Sequence, residues 1–344
     1  MNGPAQRTKV LVMAVATALL AALACAAVLI GRDRAEPAPG EGTDPVAAAS
    51  PGPAVGPPGA RLRVLSNGLL STVALADPTG ARAVTERRCD RAYTAGGTTA
   101  CLTPAGALSA PRLLVLDEAG RERSRLDLTG LPNRTRVSAD GRMVGWTLFV
   151  GGDSYAGGGF STRTGILDTR TGRAVRSLEE FTVIRDGRPR RAVDTNVWGV
   201  TFSARDSSRF YATVASGGVR SLAEGDLRAR TLRVLDDGVE CPSLSPDGTR
   251  IAFKQAVDGD PAKGWRLTVL DLDTLRRTAT TESGSVDDQA AWLDDRTLAY
   301  SLQRGDGTND VWTVPADGTG TPRLLAPGAN SPAVLPAGRG TSGD

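Results

Sequence analysis

The chain has 344 residues and no histidine. That absence excludes a Ser-His-Asp triad and a Cys-His pair. It also removes the commonest transition-metal ligand and the usual general base near neutrality, so zinc-hydrolase sites of the common types are not expected. Gly152-Asp153-Ser154-Tyr155-Ala156 has the outline of a nucleophile elbow, but no imidazole exists to serve it. Lysine is nearly missing too. Lys9, Lys254 and Lys263 are the only three, and arginine carries the positive charge. The net charge is only +3, which gives no reason to expect nucleic acid or a charged membrane surface as a partner.

What is present is a repeat. Ser245-Pro246-Asp247-Gly248 lies between Leu244 and the apolar Ile251-Ala252-Phe253. Ser first, Pro second and Gly fourth suit a type I turn. Weaker copies occur at 137–146, at 292–300 and, more loosely, at 202–212. A second pattern interleaves with it: an apolar strand, an Asp, then a Gly- or Thr-bearing turn. Its copies start at Val73, Leu114, Ile166, Val269 and Trp312. Short aliphatic runs bounded by turn residues read as strands. A period of roughly 40 to 58 residues made of two hairpins is the unit of a β-propeller.

Five blades are expected at about 85–128, 129–178, 179–235, 236–281 and 282–328. Only 331–335 then remains at the end, and one strand cannot form a blade. Residues 61–84 supply the rest, so the spacing predicts an all-β, six-bladed propeller over 61–335, its sixth blade closed by both ends of the chain. Closure removes the open sheet edge that would otherwise template aggregation.

Residues 10–30 form an apolar run broken only by Thr17 and preceded by Arg7 and Lys9. About 20 apolar residues suffice to span a bilayer. The run reads either as an uncleaved anchor or as a signal peptide cleaved near Ala24-Cys25-Ala26. In both readings the propeller lies outside the cytoplasm, as a single-pass membrane protein or a secreted one. Residues 31–60, rich in Pro, Gly and Ala, read as a linker. Residues 336–344 read as a disordered tail.

Cys89 and Cys101 flank a hairpin centred on Ala95-Gly96-Gly97. In an oxidising compartment they are expected to form a structural disulfide. Cys241 reads as a small buried hydrophobe. The loop 151–160, with five glycines, is a candidate partner-binding loop through Asp153, Ser154, Tyr155 and Phe160, or a plain connector. The hairpin around Asp186-Gly187 carries Arg185, Arg188, Arg190 and Arg191 and reads as a solvated ribbon or an anion-binding one. Residues 305–310 have a calcium-loop flavour without the full ligand spacing. Trp198, Trp265, Trp292 and Trp312 are expected between blades. No cofactor, metal or catalytic residue is expected.

Residues 243–253 (SLSPDGTRIAF), followed by Leu267-Thr268-Val269-Leu270-Asp271-Leu272, resemble the repeat of the TolB-like six-bladed propellers. The stretches 197–202, 286–289 and 292–295 look like a TolB-like group found in actinomycetes. The likeness covers roughly 61–335. It implies a propeller of the cell envelope that binds a protein or polymer partner; a non-enzymatic role is expected from the missing catalytic apparatus, and a monomer is expected. Residues 31–60 stand where TolB has an α/β domain, so no binding residue is carried over. The alternative is a propeller enzyme of lyase or lactonase type, using carboxylates or a bound cation at the central channel. A ligand sensor coupled through the N-terminal anchor is a third reading.

Overall fold

The computed structural model describes residues 59–106, 109–151 and 161–336. The proposed anchor and most of the linker lie outside these residues, and so do Asp153, Ser154, Tyr155 and Phe160. Among the described residues no helix is long and apolar enough to cross a membrane.

The strands form six sheets arranged as a β-propeller. From the channel outward, the first blade contains Arg91–Ala95, Thr98–Leu102, Arg112–Leu116 and Glu122–Asp127. The second contains Leu131–Val137, Met143–Val150, Ser161–Asp168 and Ala174–Val175. The third is built from Asn196–Phe202, Arg209–Ser216, Val219–Asp226 and Thr231–Asp237. The fourth has Glu240–Leu244, Arg250–Ala256, Trp265–Asp271 and Arg277–Ala279. The fifth has Ala291–Trp292, Thr297–Gln303, Asn309–Pro315 and Arg323–Ala326.

The closing blade takes its inner strand, Asn330–Leu335, from the end of the chain. Arg61–Ser66, Leu69–Ala74 and Ala83–Arg88 come from the beginning. Leu62 pairs with Val73 on one side and with Val334 on the other. The boundary expected at Thr85 is therefore shifted. Leu69 pairs with Arg88 and Thr72 with Ala83, so Ala83–Arg88 is the outer strand of the closing blade, not the start of the first.

The third blade also differs from expectation. The hairpin Thr182–Arg185 and Arg188–Arg190 is not one of its four strands. It adds to the outer edge, with Thr182 parallel to Thr231. Its turn is the expected Asp-Gly one, with Asp186 at φ 53° and Gly187 at φ 71°. Pro189 lies on the free edge strand, where a missing N–H discourages pairing with another chain.

Turn chemistry explains why the chain folds locally. In the fourth blade the Gly248 N–H donates to Ser245 O at 2.9 Å. Ser245 Oγ accepts from the Arg250 N–H at 3.0 Å and donates to Asp247 Oδ1 at 2.5 Å. The second-blade copy repeats this without proline: Gly141 N–H donates to Ser138 O at 2.8 Å, and Ser138 Oγ accepts from the Met143 N–H at 2.8 Å. In five of the six blades an Asp at or just after the third strand works in a similar way. Asp117, Asp168, Asp226, Asp271 and Asp317 each accept a backbone N–H two to four residues on.

The core lies between blades, because alternate residues of each strand point to opposite neighbours. In Arg61–Ser66, Leu62 and Val64 pack with Leu293, Ala299 and Val311 of the fifth blade. Leu65 packs with Cys101, Leu114 and Leu116 of the first. Trp146 is buried against Val115 and Val137. Trp198 and Trp292 are buried as expected, whereas Trp265 and Trp312 are only half-buried.

Candidate functional site at the central channel

The inner strand of the second blade reads Leu131-Pro132-Asn133-Arg134-Thr135-Arg136-Val137. Strand alternation sends Arg134 and Arg136 the same way. Both are buried. The second blade faces the fifth across a six-membered ring, and the two arginines span that gap. Arg134 donates to Asn133 O at 3.0 Å and to Asp287 O at 3.1 Å. Arg136 donates to Gln289 O at 3.0 Å, to Ser243 Oγ at 3.4 Å and to Ala290 O. Its guanidinium stacks on Tyr93 of the first blade, 4.2 Å from the ring centre.

Other blades join the same network. Arg91 Nε donates to Asn133 O at 2.9 Å. The Gln289 side-chain amide donates to Val200 O at 3.1 Å and Pro242 O at 2.7 Å, reaching the third and fourth blades. The axis is thus stitched by a polar plug. The cavity left beside it, lined by Arg91, Arg134, Arg136 and Asp288, holds about 20 Å³. That is room for roughly one water. The Nε atoms of Arg134 and Arg136 are buried without a partner among the described residues.

Above the plug sits Asp287. Lys254 Nζ donates to its Oδ1 at 2.5 Å, and Arg134 Nη2 lies 3.8 Å from the same atom. The Lys254 ammonium also rests 3.9 Å from the centre of the Trp265 ring, which explains why that tryptophan is not core. Crowding around Asp287 opposes its ionisation, but Lys254, Arg134 and Arg91 outweigh this and hold it below the usual carboxylate range. Water still reaches it, with 66% of the side chain exposed. Glu240 lies on the other side of Lys254, at 3.9 Å, and 3.2 Å from Arg220. Burial pushes its carboxyl up to about 7 despite those two cations.

Cys241 is free and buried, as expected. It stands on the inner strand of the fourth blade in the left-handed region, φ 50°, beside Arg134. A bulge between Glu240 and Ser243 puts it there. Cys89 and Cys101 form a disulfide. It ties the crossover from the closing blade to the second strand of the first blade, opposite Ala92. The carboxylates of 305–310 are already committed: Asp306 accepts from the Thr308 N–H, and Asp310 from Arg304 and the Gly328 N–H. Among the described residues no group of three or more Cys, Asp or Glu could hold a metal ion.

Sequence reading missed Arg91, Tyr93, Arg134, Arg136, Lys254 and Glu240 as a group. The Arg-x-Arg alternation on a strand due to be buried was the available signal. Asp287, Asp288 and Gln289 drew notice only as part of a resemblance.

The architecture is that of the TolB-like six-bladed propellers. The chain is similar to TolB from Acinetobacter baumannii, with 16% identity and a TM-score of 0.58, over 80% of this chain and 66% of that one. It is also similar to a TolB of Agrobacterium tumefaciens, with 13% identity and a TM-score of 0.50, over 79% and 91% of the two chains. A chain of a nidogen–laminin complex matches with 11% identity and a TM-score of 0.55, over 80% and 98%. No protein-family model matches the sequence, and no curated protein does. At these identities the likeness establishes the fold alone, and this chain spans just under two thirds of the Acinetobacter TolB.

Proposed function

We propose that this chain is a non-enzymatic propeller, tethered to the membrane or secreted, that binds a protein or cell-envelope ligand at the mouth of its central channel. The observation that carries this reading is Asp287, an exposed carboxylate held ionised and in place by Lys254 and Arg134 above a rigid plug. A preorganised charge costs little to order on binding, so its contacts convert into affinity. The half-buried Trp265 beside it supplies the aromatic surface common at binding hot spots. The disulfide and the apolar run at 10–30 support an extracytoplasmic setting.

One observation favours a propeller enzyme instead. A carboxyl titrating near 7, such as Glu240, suits acid–base work. Glu240 is buried, however, and turned toward Arg220 and Lys254.

The test is a crosslinking pulldown from envelope extracts with wild type and Asp287→Arg. A partner recovered by wild type and lost on charge reversal supports the proposal. Recovery of nothing above background, together with a stoichiometric metal in the purified protein, favours the enzyme.

A further inference from the structure

A second site lies away from the channel, at the outer part of the joint between the closing and first blades. There Arg63, Leu70, Thr85, Glu86 and Arg87 of the closing blade face Leu116 and the turn 118–120 of the first across a cleft of about 450 Å³. That volume is within the range of small-molecule sites.

Arg63 is the anomaly. It shares a strand face with Leu65, whose neighbours are the buried Leu70, Leu114 and Leu116. A guanidinium therefore stands where an apolar contact would continue the interface. Its Nε is buried and has no hydrogen-bond partner among the described residues. Burial lowers its pKa, and the neighbouring charge acting on it is Arg61, another cation. Arg87 is also half-buried, its backbone N–H donates to Thr85 Oγ1, and its guanidinium has no acceptor among the described residues. Other arginines in comparable positions are compensated. Arg142 binds Asp168, Arg277 binds Asp236 and Arg82 binds main-chain carbonyls. An unpaired buried donor costs free energy that the fold gains nothing from.

We propose that this cleft binds a small ligand bearing a single carboxylate and an apolar body, such as a free amino acid or the C-terminal end of a short peptide, with Arg63 as the anchor. The Arg fork matches a carboxylate bidentately. The Thr85 methyl, Ala119 and the stems of Arg63 and Arg87 line the rest of the cleft and receive the apolar part, with the buried Leu70 and Leu116 behind them. Glu86 and Glu118 at the exposed rim repel polyanions and accept an ammonium group.

The test is thermal unfolding of the full chain, in detergent, with L-leucine and the dipeptide Leu-Ala, their amides, and inorganic phosphate. Wild type should be stabilised by the two carboxylates and not by their amides. Arg63→Met should melt higher than wild type without ligand, and should bind the carboxylates roughly ten- to a hundredfold more weakly. Arg87→Gln, at a more accessible position, should also weaken binding, which keeps the test open if Arg63→Met does not fold. The proposal is overturned if neither carboxylate stabilises wild type, if phosphate alone does, or if the effect persists undiminished in both variants.

Discussion

The guanidinium of Arg82 donates to the carbonyl oxygen of Pro327 at 2.5 Å, across 245 residues of chain. It also reaches Gly328 O at 3.4 Å and Ser66 Oγ at 2.9 Å. One side chain from the beginning of the ring thus holds its end, beside the point where Asn330–Leu335 enters the closing blade. Arg82→Ala removes three charge-assisted hydrogen bonds and leaves two partly buried carbonyls unpaired. It should lower stability by about 1–3 kcal/mol, as read from denaturant unfolding. No change in the midpoint would show that the latch is idle.

The same closure predicts the outcome of truncation. Deleting residues 330–344 removes the inner strand of the closing blade and exposes both Arg61–Ser66 and the apolar face of Leu62 and Val64. The shortened chain should aggregate or lose its cooperative melting transition, by light scattering and calorimetry. A monomer that melts like the parent would contradict the ring.

Gly96 and Gly141 meet backbone to backbone where the first-blade hairpin touches the second-blade turn. A Cβ on Gly96 would lie 2.3 Å from Gly141 N, and one on Gly141 would lie 2.3 Å from Gly96 O. Both residues have positive φ, at 52° and 74°. Gly96→Ala should therefore cost about 2 kcal/mol or more, while Gly97→Ala, with open space around it, should cost less. Equal Tm losses for the two would refute the clash.

The Cys89–Cys101 bridge closes a loop of sequence separation 12. Chain-entropy arguments put its contribution at about 3 kcal/mol. The double variant Cys89→Ser, Cys101→Ser should unfold at correspondingly lower denaturant.

Glu179 makes stability depend on pH. Burial raises its carboxyl from 4.5 to about 7, even though Ser177, Thr164 and Thr162 donate to it. Between those values the folded chain keeps a proton that the unfolded chain releases. The resulting stability is complete below 4.5 and is lost as pH rises through 7. Glu179→Gln cannot titrate, so its Tm should fall less steeply than that of wild type over this window. Glu240, also near 7, keeps part of the slope. Superimposable profiles for variant and wild type would sink the assignment.

Much of the architecture was written in local chemistry. Ser245, Asp247 and Gly248 specify their turn by bonds within six residues, and the Asp at the third strand of five blades does the same. Such interactions depend on neighbours in the chain, so their spacing alone counted the blades. The leftover strand at 331–335 then required the beginning of the chain to complete the ring. The pairing of Cys89 with Cys101 was legible too, from their spacing about a hairpin.

The channel and the cleft were decided only by tertiary structure. Arg136 meets Gln289 and Ala290 from 153 and 154 residues away, and nothing near Arg136 in sequence announces them. Lys254 and Trp265 share a hairpin of the fourth blade, but Asp287 joins them only because the approach to the fifth blade passes beside it. Arg63 and Arg87 differ from the compensated arginines around them in what they fail to touch. Turn-forming hydrogen bonds are short-range and repeat with the chain. The charge at a site is set by burial and by partners far apart in sequence, and the closed ring alone fixes both.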